Sequence, residues 1–128
     1  MTEKTETEIE RLKRFISDKK ELEIRAQRLS SLSSGLDEKI LPSEVRIFKA
    51  LADINRLKII KLLKEGELCV CELTTALSTS QSTVSHHLSV LRTAGLIKER
   101  KEGKWSYFRL SDGAVIEILN QAKLLIDE

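Results

Sequence analysis

The chain has 128 residues, enough for one domain of about 80 to 100 residues plus an extension, since small domains fold alone from roughly 55 residues upward. Leucine, isoleucine and valine are plentiful while aromatic residues are few (Trp 1, Tyr 1, Phe 3), a balance that favours a helical core over a sandwich of strands. The formal net charge of +2 excludes any inference of a polyanionic partner from the whole-chain field, so such a case must come from where the charges sit.

No apolar run approaches the roughly 20 residues that span a bilayer, and the N-terminal segment lacks the short apolar block of a signal peptide. A cytoplasmic protein without a membrane partner is therefore expected, and in that compartment close cysteines persist as thiols.

Residues 2–36 are densely charged, with apolar positions at Ile9, Leu12, Ile16, Leu22, Ala26, Leu29, Leu32 and Leu36. Spacings of three and four predict one long amphipathic helix, frayed before Glu8 and ending at the serines around Gly35. Lys19 and Glu23 interrupt the stripe. It fits either a helix packed on its own domain or a dimer contact of coiled-coil type. Residues 1–40 are read as an N-terminal extension and 43–128 as the main domain.

Pro42 marks the boundary, and Ser43 is expected to cap the next helix. "SEVRIFKALAD" places Val45, Phe48 and Leu51 on one face, and "DINRLKIIKLLKEG" places Ile54, Leu57, Ile60 and Leu63 on another, with Asp53 as cap and Gly66 as stop. Both helices are expected to build the core.

"LCVCELTTAL" predicts a short helix from about Val70, broken by "STS". A second helix follows, with Ser80 as cap, Gly95 as stop and Val84, Leu88 and Leu91 as its apolar face. Two short helices joined by a tight turn, the second bearing exposed polar groups, form the helix-turn-helix layout. Ser80, Gln81, Ser82, Thr83, Ser85 and His86 are the candidate DNA-contacting residues, because short polar groups at a helix N-terminus can reach base edges or face a phosphate. His87, beside Leu88, is expected to be packed or hydrogen-bonded inside the domain.

"LIKERKEGKWSYFRL" changes from helical to alternating period around a glycine-bearing turn, which predicts a β-hairpin. Its tip carries Arg100, Lys101 and Lys104, suited to phosphate contact. A last helix is expected over 113–126, capped by Ser111 or Asp112. The predicted fold is mainly α with a β-hairpin wing: a winged helix-turn-helix preceded by a long N-terminal helix. The chain lacks a glycine-rich phosphate loop and a cluster of histidines and carboxylates, so no enzyme is expected. A protein-docking or metal-buffering module on the same fold is the competing class.

The segments "LADINRLKIIKLL", "GELCVCEL" and "STSQSTVSHHLSVLRTAGLIKERKEGKWSYFRL" resemble the ArsR/SmtB family of winged-helix transcriptional repressors, over about residues 43–126. The resemblance implies a homodimer whose first and last domain helices pair across a two-fold axis. Its two reading helices would enter successive major grooves of a near-palindromic operator in double-stranded DNA. "ELCVCEL" is similar to the metalloid-sensing box of the arsenic-responsive members, in which a third cysteine follows three residues after the second. Here that position is Thr74. The family's other site, histidines and carboxylates on the last helix, is reduced to Asp112, which argues against zinc there.

Residues i and i+2 of a helix point about 200° apart, so Cys69 and Cys71 can meet only if Cys69 lies before the helix. Cys71 would then sit in the first turn, where the helix dipole favours a thiolate. Three readings of the pair stand open. One is an inducer site for a thiophilic metal or metalloid, completed by water, a small thiol or the N-terminal extension. The others are a redox switch, strained as a C-x-C disulfide, and two buried apolar residues in a regulator independent of any effector. None requires a resident cofactor.

Overall fold

The computed structural model describes residues 7–15 and 19–127. It divides into two compact units, residues 1–39 and 40–128. In the first unit lie α1 (Glu8–Phe15) and α2 (Lys19–Ser34). Residues 16–18, which decide whether the expected single helix is continuous, lie outside the described residues. No side chain of α2 is buried, and Leu22 and Ala26 are half-buried.

The second unit runs α3 (Leu41–Leu51), α4 (Ile54–Leu63), β1 (Leu68–Cys69), α5 (Val70–Leu77), α6 (Gln81–Thr93), β2 (Ile97–Glu102), β3 (Trp105–Leu110) and α7 (Ala114–Lys123). Helix α3 starts earlier than expected. Pro42 sits in its first turn, where a missing N–H leaves no bond unmade, and Ser43 is already helical, its N–H donating to the Ile40 carbonyl at 3.0 Å. The cap assigned to Ser43 is thereby corrected.

The facing of α3 is corrected too. Ala50 and Leu51 enter the core, whereas Leu41, Val45 and Phe48 are 41%, 49% and 59% exposed. The spacing had identified a real apolar stripe, but within one subunit only its end is covered. In α4, Asp53 caps as expected, its carboxylate accepting the Arg56 N–H at 3.0 Å. Ile59, Ile60 and Leu63 are buried, while Ile54 is exposed.

The wing contains a strand that the alternation did not reveal. Strand β1 joins the hairpin to give a three-stranded antiparallel sheet in the order β1-β3-β2, with Leu68 opposite Phe108 and Cys69 opposite Tyr107. Two residues are too short a run to show a period. Between β2 and β3, Gly103 takes φ 62° at the first position of a two-residue turn, the placement a type II′ hairpin requires.

Helix α7 is shorter than the expected 113–126. Gly113 occupies the N-cap position, the Asp112 carboxylate accepts the Ala114 N–H at 2.8 Å, and Leu124, Leu125 and Ile126 lie exposed beyond the helix. The core gathers Ile59, Ile60 and Leu63 of α4, Leu73 of α5, Val84, Leu88 and Leu91 of α6, Ile97 and Phe108 of the sheet and Val115 of α7. Leu73 is the only buried residue of α5 and is fully enclosed. Leu73→Ala is expected to cost about 2 to 5 kcal/mol in urea denaturation, because the surrounding helices close only partly over the void.

Candidate nucleic-acid interface

The exposed end of α6 is assembled by local chemistry. Ser78 adopts a left-handed conformation, φ 51° and ψ 47°, which ends α5 and turns the chain sharply enough to begin α6 three residues later. The Ser80 hydroxyl accepts the Thr83 N–H at 3.2 Å and lies 2.8 Å from the Thr83 hydroxyl. Ser80 and half-buried Thr83 therefore hold the helix start together, while Gln81, Ser82, Ser85 and His86 project into solvent. These four present the short polar groups that base edges accept.

His87 is buried as expected, and the partner that holds it is Arg56, near the start of α4. The guanidinium donates from Nη1 to His87 Nδ1 at 3.2 Å and from Nε to the Ala50 carbonyl at 2.6 Å. A guanidinium only donates, so Nδ1 must accept, which puts the ring proton on Nε2. One arginine thus ties the end of α3 to α6 and fixes the angle at which α6 leaves the core. The Asp53 carboxyl is held below its usual range, first by the Arg56 N–H and then by the nearby Arg56 guanidinium charge.

Charge on the wing is distributed differently from its composition. Arg100 forms ion pairs with Glu67 and Glu102, each at 2.7 Å, and stacks its guanidinium 4.7 Å from the centre of the Tyr107 ring. Glu67 is pulled below the ordinary carboxylate range by that hydrogen bond, and Arg100 is held more firmly protonated than usual. Phosphate contact by Arg100 would have to compete with two carboxylates. Arg92 is likewise paired, with Glu99. Among the described residues, Lys98, Lys101, Lys104 and Arg109 make no ion pair and supply the wing's available positive charge. Glu67 is 33 positions from Arg100, so no spacing rule would have joined them.

Cys69 precedes α5, as the geometry demanded. It is the N-cap residue, with φ −87° and ψ 166°, and its N–H donates to the Glu72 carboxylate at 2.9 Å. Cys71 lies in the first turn, and the two sulfurs are 3.0 Å apart, well beyond the roughly 2.05 Å of a disulfide. Both are free thiols, Cys69 buried and Cys71 exposed. The hydrogen bond with Cys71, followed by burial, pushes the Cys69 thiol up from its ordinary value. Two convergent soft donors, one open to solvent, fit a thiophilic ion, although no cluster of three or more His, Cys, Asp or Glu side chains exists among the described residues.

Residues 53–99 match the family described as bacterial regulatory protein, arsR family. An arsenical resistance operon repressor of Bacillus subtilis is 44% identical over 75 residues, covering 58% of this chain and 71% of that protein. The chain belongs to the ArsR family. The arsenical resistance operon repressor of Escherichia coli K12 is 56% identical over 68 residues, covering 52% of this chain and 58% of that repressor's length. A solved homodimeric winged helix-turn-helix DNA-binding domain from Mycobacterium bovis superposes with a TM-score of 0.64 at 31% identity, covering 71% of this chain and 87% of that domain. This ArsR-family chain is accordingly a winged helix-turn-helix DNA-binding regulator of transcription rather than an enzyme, with α5 and α6 as its helix-turn-helix and β2-β3 as its wing. No helix among the described residues is long and apolar enough to cross a membrane.

Proposed function

We infer that this chain is a homodimeric repressor that reads a near-palindromic operator through α6 and is released by a thiophilic metal or metalloid at Cys69 and Cys71. The observation that carries the DNA reading is the exposed start of α6, with Gln81, Ser82, Ser85 and His86 in solvent on a helix anchored by Val84, Leu88 and Leu91. Lys101 and Lys104 supply phosphate contacts that position the helix, and the base edges supply specificity.

Dimer formation is supported by the apolar surface that one subunit leaves open: Leu41, Val45 and Phe48 on α3 and Leu124, Leu125 and Ile126 after α7. The Mycobacterium bovis domain is homodimeric, and a second copy is the occupant that this surface suits.

Release follows from the three duties of Cys69. It ends strand β1, caps α5 and shares a sulfur contact with Cys71. A ligand seated between the two thiols moves the Cys69 sulfur, displacing the cap and, through the Ser78 turn, the start of α6. A shift of about 1 Å, doubled by dimer symmetry, changes the half-site spacing, and a coupling of about 1 to 3 kcal/mol between sites is sufficient for derepression. Oxidation of the pair is the second reading, favoured by the 3.0 Å sulfur separation.

Fluorescence titration against operator duplex at two salt concentrations tests the DNA reading, because phosphate contact makes affinity fall steeply with salt and protein docking does not. Replacing Glu67 and Glu102 together with glutamine is expected to free Arg100 for phosphate. Operator affinity should then rise and the log–log salt slope steepen by up to about 1. An unchanged slope would show that Arg100 stays off the DNA even when released.

A further inference from the structure

Cys71 opens onto a cleft of about 230 Å³ lined by Val70, Cys71, Gln81, Lys104, Trp105 and Ser106. The first turn of α5, the first residue of α6 and the wing all contribute to it. Because Cys69 is buried and Cys71 exposed, the cleft is the open side of the thiol pair. Three soft donors satisfy a trigonal thiophile such as arsenic(III), yet the 128 residues contain only two cysteines. At the next position on the helical face, the Thr74 hydroxyl is committed to the Val70 carbonyl at 2.8 Å.

We propose that the third donor is a small anionic thiol from solution, seated in this cleft with its carboxylate facing Lys104 and its carbon chain along Trp105. The proposal rests on the reading of Cys69 and Cys71 as the effector site. The volume is below the roughly 300 to 1,000 Å³ of drug-sized pockets and suits a ligand of a few heavy atoms. Lys104 is exposed and makes no ion pair among the described residues, and Trp105 offers an apolar wall that is 51% exposed. A guest with one soft atom, a short carbon chain and one negative charge matches all three features.

The chemistry is substitution without oxidation or reduction. Arsenous acid carries three hydroxyl groups on arsenic(III), and each thiol that forms an As–S bond sends its proton away with one hydroxyl as water. Two such exchanges use Cys69 and Cys71, and the third uses the external thiol.

Gln81 and Lys104 also belong to the DNA-facing surface. A guest in the cleft therefore occupies two groups that the operator needs and places a carboxylate where phosphate would lie. Release by this route is competitive and adds to any movement of α5.

Trp105 is the only tryptophan in the chain, so its emission reports on the cleft. The full chain would be titrated with arsenite alone, then with arsenite plus thioglycolate or neutral 2-mercaptoethanol, followed by native mass spectrometry and Trp105 fluorescence. The expected result is one arsenic and one thioglycolate per subunit, with a Trp105 change on thiol addition. Thioglycolate should saturate at about three- to fivefold lower concentration than mercaptoethanol, a preference lost in Lys104→Gln while arsenic still binds. Arsenic bound without external thiol, arsenic bridging two subunits, or a silent Trp105 would overturn the proposal. Arsenite that fails to distinguish the wild type from the Cys69→Ser, Cys71→Ser variant overturns the effector-site reading itself, and this proposal with it.

Discussion

Phe48→Asp is expected to yield a folded monomer that binds its operator about 10²- to 10⁴-fold more weakly than the parent protein. Phe48 is 59% exposed in the single subunit, between Val45 and the buried Leu51 on α3, so the fold loses little when it changes. A carboxylate in the middle of a self-complementary apolar face would instead be buried opposite its own copy, where charges are desolvated and alike. Each reading helix would then have to find DNA alone. Linking two binding events raises affinity by about 10²- to 10⁴-fold through effective concentration, and that factor disappears with the dimer. Sedimentation velocity, circular dichroism and operator titration read the three components separately. A Phe48→Asp protein that remains dimeric would place the interface elsewhere.

Replacing both Cys69 and Cys71 with serine is expected to leave operator affinity intact and to abolish release by arsenite or another thiophilic inducer. Serine is a stronger N-cap than cysteine, so the start of α5 and the Glu72 contact survive the change. In the wild type, saturating inducer should weaken operator binding by roughly 5- to 150-fold, the range of ordinary coupling between two sites. The double variant should show none of that loss. If it responded as the wild type does, the thiols would have no part in regulation, and their convergence would be a matter of packing.

The readable parts of this chain were those in which neighbours in sequence supply the physics. Asp53 as a cap, the break at "STS" that ends α5, the Ser80 cap and the Val84, Leu88 and Leu91 face of α6 all depend on residues within one or two helical turns. The position of Cys69 outside α5 was also legible, since the 200° separation of i and i+2 leaves no other way for the two sulfurs to meet. Strand β1 was not legible. Its two residues pair with β3 nearly 40 positions later, and so short a strand carries no alternation of its own.

The sequence by itself determined the order of the helices from α3 to α7, the helix-turn-helix with its polar reading face, the hairpin after it and the juxtaposition of two thiols with that apparatus. Tertiary structure alone decided which apolar stripes face inward, leaving Val45 and Phe48 outside while Ala50, Leu51 and Ile59 are enclosed. It also decided that Arg100 is held by Glu67 and Glu102, that Arg56 reaches His87 across 31 positions, and that Cys71 opens onto a cleft shared with Gln81 and Lys104. The physical reason is range. Capping, turn geometry and helical periodicity act over a few residues, whereas the burial of a stripe and the pairing of a charge depend on which distant surface arrives beside it.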